Sequence, residues 1–501
     1  MRTPRRRRLL VGLLLSPLLT GCFASGGDDS DSSSDAGSGS RLRVALAFPP
    51  AENFSPYGAD ATLLSRLGVT EGLTALDANG SAAPALAESW TRKDDRTWLF
   101  TLREATFQDG TGVTAANVAA ALTLATQTKP EPAALTGVTL TAKAAGDGRI
   151  SVTTAEPDPV LPLRLSSPGL AVLAPKAFAK KGAVDPVGTA TGPFELTKTT
   201  GTTAATLDRF DDYWGGRAQS VGIDARFIAD GTARTNALRT GQVDIAESIP
   251  VAQAASLDEE TRRETATART TSLHLNTRSG VFKDPKLRAA ARAAVDTSAL
   301  ADGVYEGHAD AGQGIYGPAL TWAEGKRVQP TGRAKAAAAP DGASVTLATY
   351  DNRPELPEAA QVLKQQLEKA GFRVTLEVRE YSRLESDLLA GKFDAAVAAR
   401  NTMLDTGDPV SVLAGDYTCD GGNNLSLLCD QKVDQAVAKA EGTEDTAERQ
   451  DAVMAAEALI LGTDAVVPLV HQRIITGVDA GVQGVRLDPY ERTLVGTGTR
   501  R

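Results

Sequence analysis

The chain has 501 residues, 53 Lys and Arg against 62 Asp and Glu, 42% hydrophobic residues and a formal charge of −9. At about 150 residues per domain the length suggests roughly three units. The acidic excess argues against nucleic acid as a partner, and the absence of any run of 18 apolar residues excludes a multipass membrane protein. Three His and three Cys leave little material for a metal cluster or a Cys/His catalytic centre.

In chain order, Arg2 and Arg5 to Arg8 precede an apolar stretch from Leu9 to Leu19. That stretch has the length of a secretory h-region and is too short to span a bilayer. It runs into Leu19-Thr20-Gly21-Cys22, which resembles the lipobox of bacterial lipoproteins. Residues 1–21 are therefore expected to be a lipoprotein signal peptide, with Cys22 lipidated; an ordinary signal peptide with a chance Cys is the plainer alternative. Export by the general secretory or the twin-arginine route fits the Arg run equally. Cleavage after Gly21 removes five Arg and moves the formal charge from −9 to −14. Residues 22–40, rich in Gly, Ser and Asp, cannot bury enough surface to offset their ordering entropy and are expected to be a flexible tether. The expected location is the outer face of the cytoplasmic membrane, by lipid anchor.

The body starts at Arg41. Trp98, Phe100 and Leu102 alternate as one face of a strand, and Thr114 stands where it would cap a helix carrying Val118, Leu122 and Ala125. The Ala-rich stretch from Ala334 to Ala339 reads as a surface helix or connector. A helix over Glu358 to Ala370 is predicted from the stripe Ala359, Val362, Leu363, Leu367 and Ala370, ending at Gly371. A strand through Val374, Leu376 and Val378, a short helix with Leu384 and Leu388, and a strand from Phe393 to Val397 follow. This α-β-α-β order implies an α/β lobe with a largely parallel sheet.

With Cys22 assigned to lipid, Cys419 and Cys429 remain as a pair in an oxidising compartment. A disulfide is expected, with two free thiols or a metal pair as alternatives. No nucleophile elbow, zinc-binding His pair or phosphate loop occurs. The literal G-x-G-x-x-G at Gly312, Gly314 and Gly317 runs into Pro318 with no strand before it, so it reads as a Gly-rich loop. His274 and His471 look like polar positions on short strands, able to share a metal or act as a pH switch only if those strands are neighbours. His308, in a Gly/Asp loop, is expected to be solvated.

Several segments taken together resemble the solute-binding proteins of peptide and nickel importers of the ATP-binding-cassette (ABC) type. They are Leu86-Ala87-Glu88-Ser89-Trp90, Phe107-Gln108-Asp109-Gly110-Thr111 with Val113-Thr114-Ala115, Gly192-Pro193-Phe194, Tyr213-Trp214-Gly215, Arg234 to Leu238 with Gly241-Gln242-Val243-Asp244, and Phe282 to Ala290. The matches keep the family's order from about residue 42 to 470.

The resemblance implies a two-lobed α/β, periplasmic-binding-protein-like fold of the peptide-binding type, with a two-strand hinge. Residues 41–75, 185–272 and 470–501 would form lobe 1, residues 76–184 a domain inserted in it, and residues 273–469 lobe 2. It further implies a monomeric, non-enzymatic receptor that uses no cofactor. Such a receptor captures a small-molecule or peptide ligand by lobe closure and delivers it to ABC permease and ATPase subunits. The same fold binding a metal chelate, sugar or secondary metabolite is the alternative, and an extracytoplasmic hydrolase a remote third.

Asn352-Arg353-Pro354 is similar to the Q-R-P of dipeptide-binding members, whose Arg holds the ligand carboxylate. Leu404 to Pro409 is similar to their G-D-N-G-D-P, which casts Asp405 as the partner of an α-ammonium. The Cys419 and Cys429 pair also resembles that branch. Two features depart from it: Thr402 stands where those members carry a Trp, and Gly188-Thr189-Ala190-Thr191 lengthens the loop before Gly192. Nor is there a His between Ser411 and Asp430, where nickel-chelate members carry one.

Overall fold

The structure is a computed structural model that describes residues 40–129, 131–180, 183–337, 340–351 and 353–501. The signal segment, Cys22, the tether through Gly39, Asn352 and the last two residues of the Ala-rich stretch lie outside the described residues.

Two long strands organise the body, Arg262–Leu275 with 14 residues and Val466–Val478 with 13. The second is rich in Val and Ile, which suits a pleated surface, and at about 3.3 Å per residue each strand is long enough to serve two halves of a molecule. They pair with each other antiparallel in the middle of one continuous sheet. On one side of them lie Ile245–Ala246, Arg41–Leu46, Gly222–Phe227, Ala204–Arg209 and Phe194–Thr200. On the other lie Ala395–Asn401, Ser344–Tyr350 and Arg373–Arg379. A core around Leu42, Leu64, Phe194 and Ile223 fills the first side, and one around Leu273, Leu347, Leu363 and Val397 fills the second.

On the second side the expected parallel sheet is present: Ser344–Tyr350 runs parallel to both neighbours. The strand that abuts the long pair does so antiparallel. Helix Glu355–Lys369 buries Ala359, Leu363 and Leu367 as expected. It starts three residues early because Pro357 falls in its first turn, where a missing N–H costs nothing. The last strand of the unit runs Ala395–Asn401 instead of Phe393 to Val397. It reaches further because Arg269 to Leu275 offers it a partner out to Asn401. The described part of the Ala-rich stretch, through Ala337, contains no helix.

A separate four-stranded antiparallel sheet has the order Ala87–Arg92, Thr97–Leu102, Arg149–Thr154, Leu140–Ala144. Phe100, Ile150 and Val152 lie fully buried beneath helix Ala115–Ala125, which contributes Val118, Leu122 and Ala125. Thr114 caps that helix, its hydroxyl accepting the Asn117 N–H at 3.2 Å. Behind the second lobe, Pro409–Tyr417, Gln431–Gly442 and Thr446–Gly462 pack around Leu413, Val437 and Met454.

Candidate ligand cleft between the lobes

The two long strands slip register where they pass from lobe to lobe. Ala266 pairs with Arg473 and Thr270 with His471, so Thr267, Ala268 and Arg269 oppose the single residue Gln472. Such a bulge breaks the ladder and re-aims side chains. Here it also creates attachment points. The Ala268 N–H donates to the Pro489 carbonyl at 2.9 Å, and the Ala268 carbonyl accepts the Thr402 N–H at 2.9 Å and the Thr402 hydroxyl at 3.1 Å. Thr402, at the position where dipeptide-binding members carry a Trp, is thus spent on the hinge.

Arg269 swings to Glu491, which accepts its guanidinium at 3.1 and 3.0 Å and Asn401 Nδ2 at 2.9 Å. Glu491 is buried and sits at a φ of 61°, in the left-handed region where a side chain is strained. The turn is held by the Asp488 carboxylate, which accepts the N–H groups of Tyr490, Arg492 and Thr493, each at 2.9 Å. Burial pushes the Glu491 carboxyl up, but Arg269, Arg353 and Arg66 outweigh it and bring it down to about 2.

Arg353 lies across the cleft from the first lobe, its guanidinium 5.7 Å from the ring of Phe48. Phe48 is 41% exposed, the most open aromatic facing this cavity. The Arg353 guanidinium makes no hydrogen bond or ion pair with a described residue; its carbonyl accepts the Leu356 N–H at 3.1 Å. Desolvation, then the neighbouring Arg269, lower its affinity for its proton, while Glu491 partly restores it. With Arg234, Tyr305, Glu355, Gln472 and Arg473 it lines a cavity of about 110 Å³.

Asp405 lies in a different place. One oxygen accepts Arg400 Nη2 at 2.9 Å, while its other oxygen is free of hydrogen bonds among the described residues. Arg400 also reaches Asp416 at 3.2 Å. Asp405 lines a cavity of about 950 Å³ between residues 133–164, beside the four-stranded sheet, and residues 385–449 of the second lobe. The cavities holding Arg353 and Asp405 share no lining residue. Arg492 donates to the carbonyls of Met403 and Leu404 at 2.9 and 2.8 Å and to Ser166 Oγ at 2.9 Å, tying the Asp405 loop to the first lobe. Full burial lowers Arg492 to about 10. Sequence reasoning missed Arg269, Glu491, Arg400 and Arg492; the strand and loop patterns that placed their backbones carry no signal for these pairings.

The histidines are structural. His274 and His471 do lie on neighbouring strands, but His274 pairs in register with Val466 and His471 with Thr270. His274 stacks on Tyr417 at 6.3 Å. His471 Nε2 accepts the Gln313 N–H at 3.3 Å, so Nδ1 donates to Thr270 Oγ1 at 2.9 Å, and that hydroxyl in turn donates a hydrogen bond to the Ile315 carbonyl at 2.8 Å. His308, expected in solvent, instead pairs with Glu264 at 2.8 Å. The Gly-rich loop packs against the second long strand: a Cβ on Gly317 would lie 2.6 Å from the His471 ring. Among the described residues no three His, Cys, Asp or Glu form a metal site.

Burial holds His274 and His471 neutral, each lowered from 6.5 to about 4. Between those values the unfolded chain binds protons that the fold does not, so stability is expected to fall as pH drops from 6.5 to 4. Thermal melts across that window should show the fall, and His471→Gln should make it shallower. An identical slope in the variant would contradict the assignment.

Cys419 and Cys429 are joined by a disulfide, and the loop between them borders the large cavity at Asp420 to Asn423. Reduction is expected to cost about 2–3 kcal/mol through the freed denatured chain. Mass spectrometry of the unreduced protein should recover the linked pair; two alkylatable thiols would contradict it.

Two α/β lobes, two connecting strands and a polar cleft between them define a bilobal binding protein. The chain matches the family of bacterial extracellular solute-binding proteins, family 5 Middle, over residues 81–424, and belongs to it. Curated relatives include the glutathione-binding protein GsiB of Shigella dysenteriae serotype 1, 27% identical over 463 residues, covering 87% of this chain and 90% of that protein. GsiB of Escherichia coli K12 matches at the same identity and coverage. Among solved structures, NikA of Staphylococcus aureus in complex with Ni(L-His)2 superposes with a TM-score of 0.76 at 21% identity, over 92% of this chain and 100% of that one. DppA of Helicobacter pylori in complex with the peptide STSA gives 0.75 at 19% identity, over 92% and 98%.

Proposed function

We propose that the chain is the lipid-anchored receptor of an ABC importer, held through Cys22 and the tether at the outer face of the cytoplasmic membrane. It captures a peptide-like solute between its lobes and presents it to permease and ATPase subunits. Lobe 1 comprises residues 41–75, 185–272 and 470–501, residues 76–184 form its inserted domain, and residues 273–469 form lobe 2. No covalent chemistry is involved: a ligand that touches both lobes shifts the population toward the closed state, which the permease can distinguish.

The observation that carries the reading is Arg353. A half-buried guanidinium without a partner among the described residues, packed on an aromatic ring of the opposite lobe, suits a carboxylate that would bind it bidentately. The ligands named for the relatives, glutathione and the peptide STSA, both end in carboxylates. On this reading Asp405 offers its unbonded oxygen to the ligand ammonium.

Calorimetry with tri-alanine and its C-terminal amide tests the carboxylate contact. The free acid is expected to bind at least about tenfold tighter, the difference a charge-assisted pair supplies. Equal affinities would exclude Arg353 as the carboxylate anchor.

A further inference from the structure

The two cavities of the cleft carry opposite charge. The large one is lined by eight carboxylates and three guanidinium groups, a formal excess of five negative charges. All three guanidinium groups are committed. Arg164 pairs with Asp158 at 2.7 Å, Arg449 with Asp408 at 2.6 Å, and Arg400 with both Asp405 and Asp416. Four carboxylates that line the cavity, Glu156, Glu385, Asp420 and Glu441, pair with no Lys or Arg among the described residues. In the small cavity the position is reversed. Its lining has three guanidinium groups and one carboxylate, Glu355; Arg234 is spent on backbone carbonyls and Arg473 on Asp310, which leaves Arg353 as its uncommitted cation among the described residues.

We infer that the solute is a cationic peptide, its carboxylate at Arg353 and two or more positive groups in the acidic cavity. The inference rests on the proposed peptide-receptor reading and narrows its ligand class. A single α-ammonium answers only Asp405. The four carboxylates without a cationic partner come from both walls, Glu156 beside the four-stranded sheet and Glu385, which accepts the Tyr381 hydroxyl at 2.8 Å, Asp420 and Glu441 from the second lobe. A basic side chain between them is attracted to both lobes at once and so favours closure. The carboxylates do not converge as a metal site would; the charge is spread along the cavity, as a chain bearing several ammonium or guanidinium groups requires.

Calorimetry on the full-length protein with Lys-Lys-Ala, Lys-Ala-Ala, Ala-Ala-Ala and Glu-Ala-Ala tests the inference. Affinity is expected to rise about five- to tenfold with each Lys, and Glu-Ala-Ala to bind weakest. The gain should shrink as salt rises from 0.05 to 0.5 M, values at which screening of this kind changes strongly. Glu441→Gln and Glu385→Gln should each reduce the Lys-to-Ala preference about threefold or more. Equal affinities across the series would overturn the charge inference and leave the peptide receptor standing. Failure of every peptide to bind would overturn both. Spermidine supplies charge without a carboxylate, and spermidine binding tighter than Lys-Lys-Ala would overturn the role given to Arg353.

Discussion

Arg353→Ala is expected to weaken carboxylate-terminated peptides by about 2–4 kcal/mol, roughly 30- to 1000-fold, while leaving the melting temperature of the unliganded protein nearly unchanged. The asymmetry follows from the side chain's surroundings. Its guanidinium forms no hydrogen bond within the described protein and packs on Phe48 of the other lobe, so removing it strands no buried partner. The neighbouring carboxylate, Glu491, keeps its bidentate pair with Arg269. Arg353→Lys retains charge but loses the planar fork and should recover only part of the affinity. Titration of the free acid and the amide of one tripeptide reads the effect directly. If Ala and wild type discriminate the two forms equally, the carboxylate is held elsewhere.

Glu491→Ala should do the reverse, with its main effect on the fold. Glu491 is the shared acceptor of Arg269 and Asn401 at the point where the C-terminal turn meets the hinge bulge. Removing one partner of a buried ion pair leaves an uncompensated charge, a loss of about 3–5 kcal/mol. In a chain of this size that is roughly a 3–5 °C fall in melting temperature. Glu491→Gln, which preserves an acceptor for Asn401, should lose less. The pH dependence has a definite sign. The folded carboxyl titrates at about 2, below the usual carboxylate range. Its contribution is therefore complete above the unfolded pKa and lost as pH falls from about 4.5 toward 2. Melts of Glu491→Gln and wild type should converge on acidification, and curves that stay parallel would refute the linkage.

Arg492 is the neighbouring residue with a different task. Because it holds the carbonyls of Met403 and Leu404 and the hydroxyl of Ser166, it positions the loop of Asp405 without lining either cavity. Glu491 and Arg492 thus tie the hinge bulge and the Asp405 loop to adjacent residues of one turn, and that turn begins from a carboxylate, Asp488, caught by three N–H groups.

Much of the fold was legible in the sequence. The period-two run at Trp98, Phe100 and Leu102 became a strand, Thr114 became a cap, and the stripe from Ala359 to Leu367 became the buried face of a helix. These features depend on neighbours within about a dozen residues, and periodicity reports them because a repeating pattern needs a repeating apolar face. The ordered motifs from Leu86 to Ala290 carried the family as well, since turns and close approaches demand particular residues wherever the rest of the chain lies. The pairing of Arg269 with Glu491 spans 222 positions, and no local pattern anticipates it. The register slip opposite Gln472, which re-aims Arg269, appears only when two strands about 200 residues apart are laid side by side. The acidic cavity is likewise assembled from residues 133–164 and 385–449, neither of which is exceptional in composition when read alone. Sequence by itself determined which elements form and which family they build, because those choices are settled by short-range sterics and apolar patterning. Tertiary structure alone decided which charges are spent on the hinge and which are left facing the cleft, because electrostatic partners are chosen by distance in space.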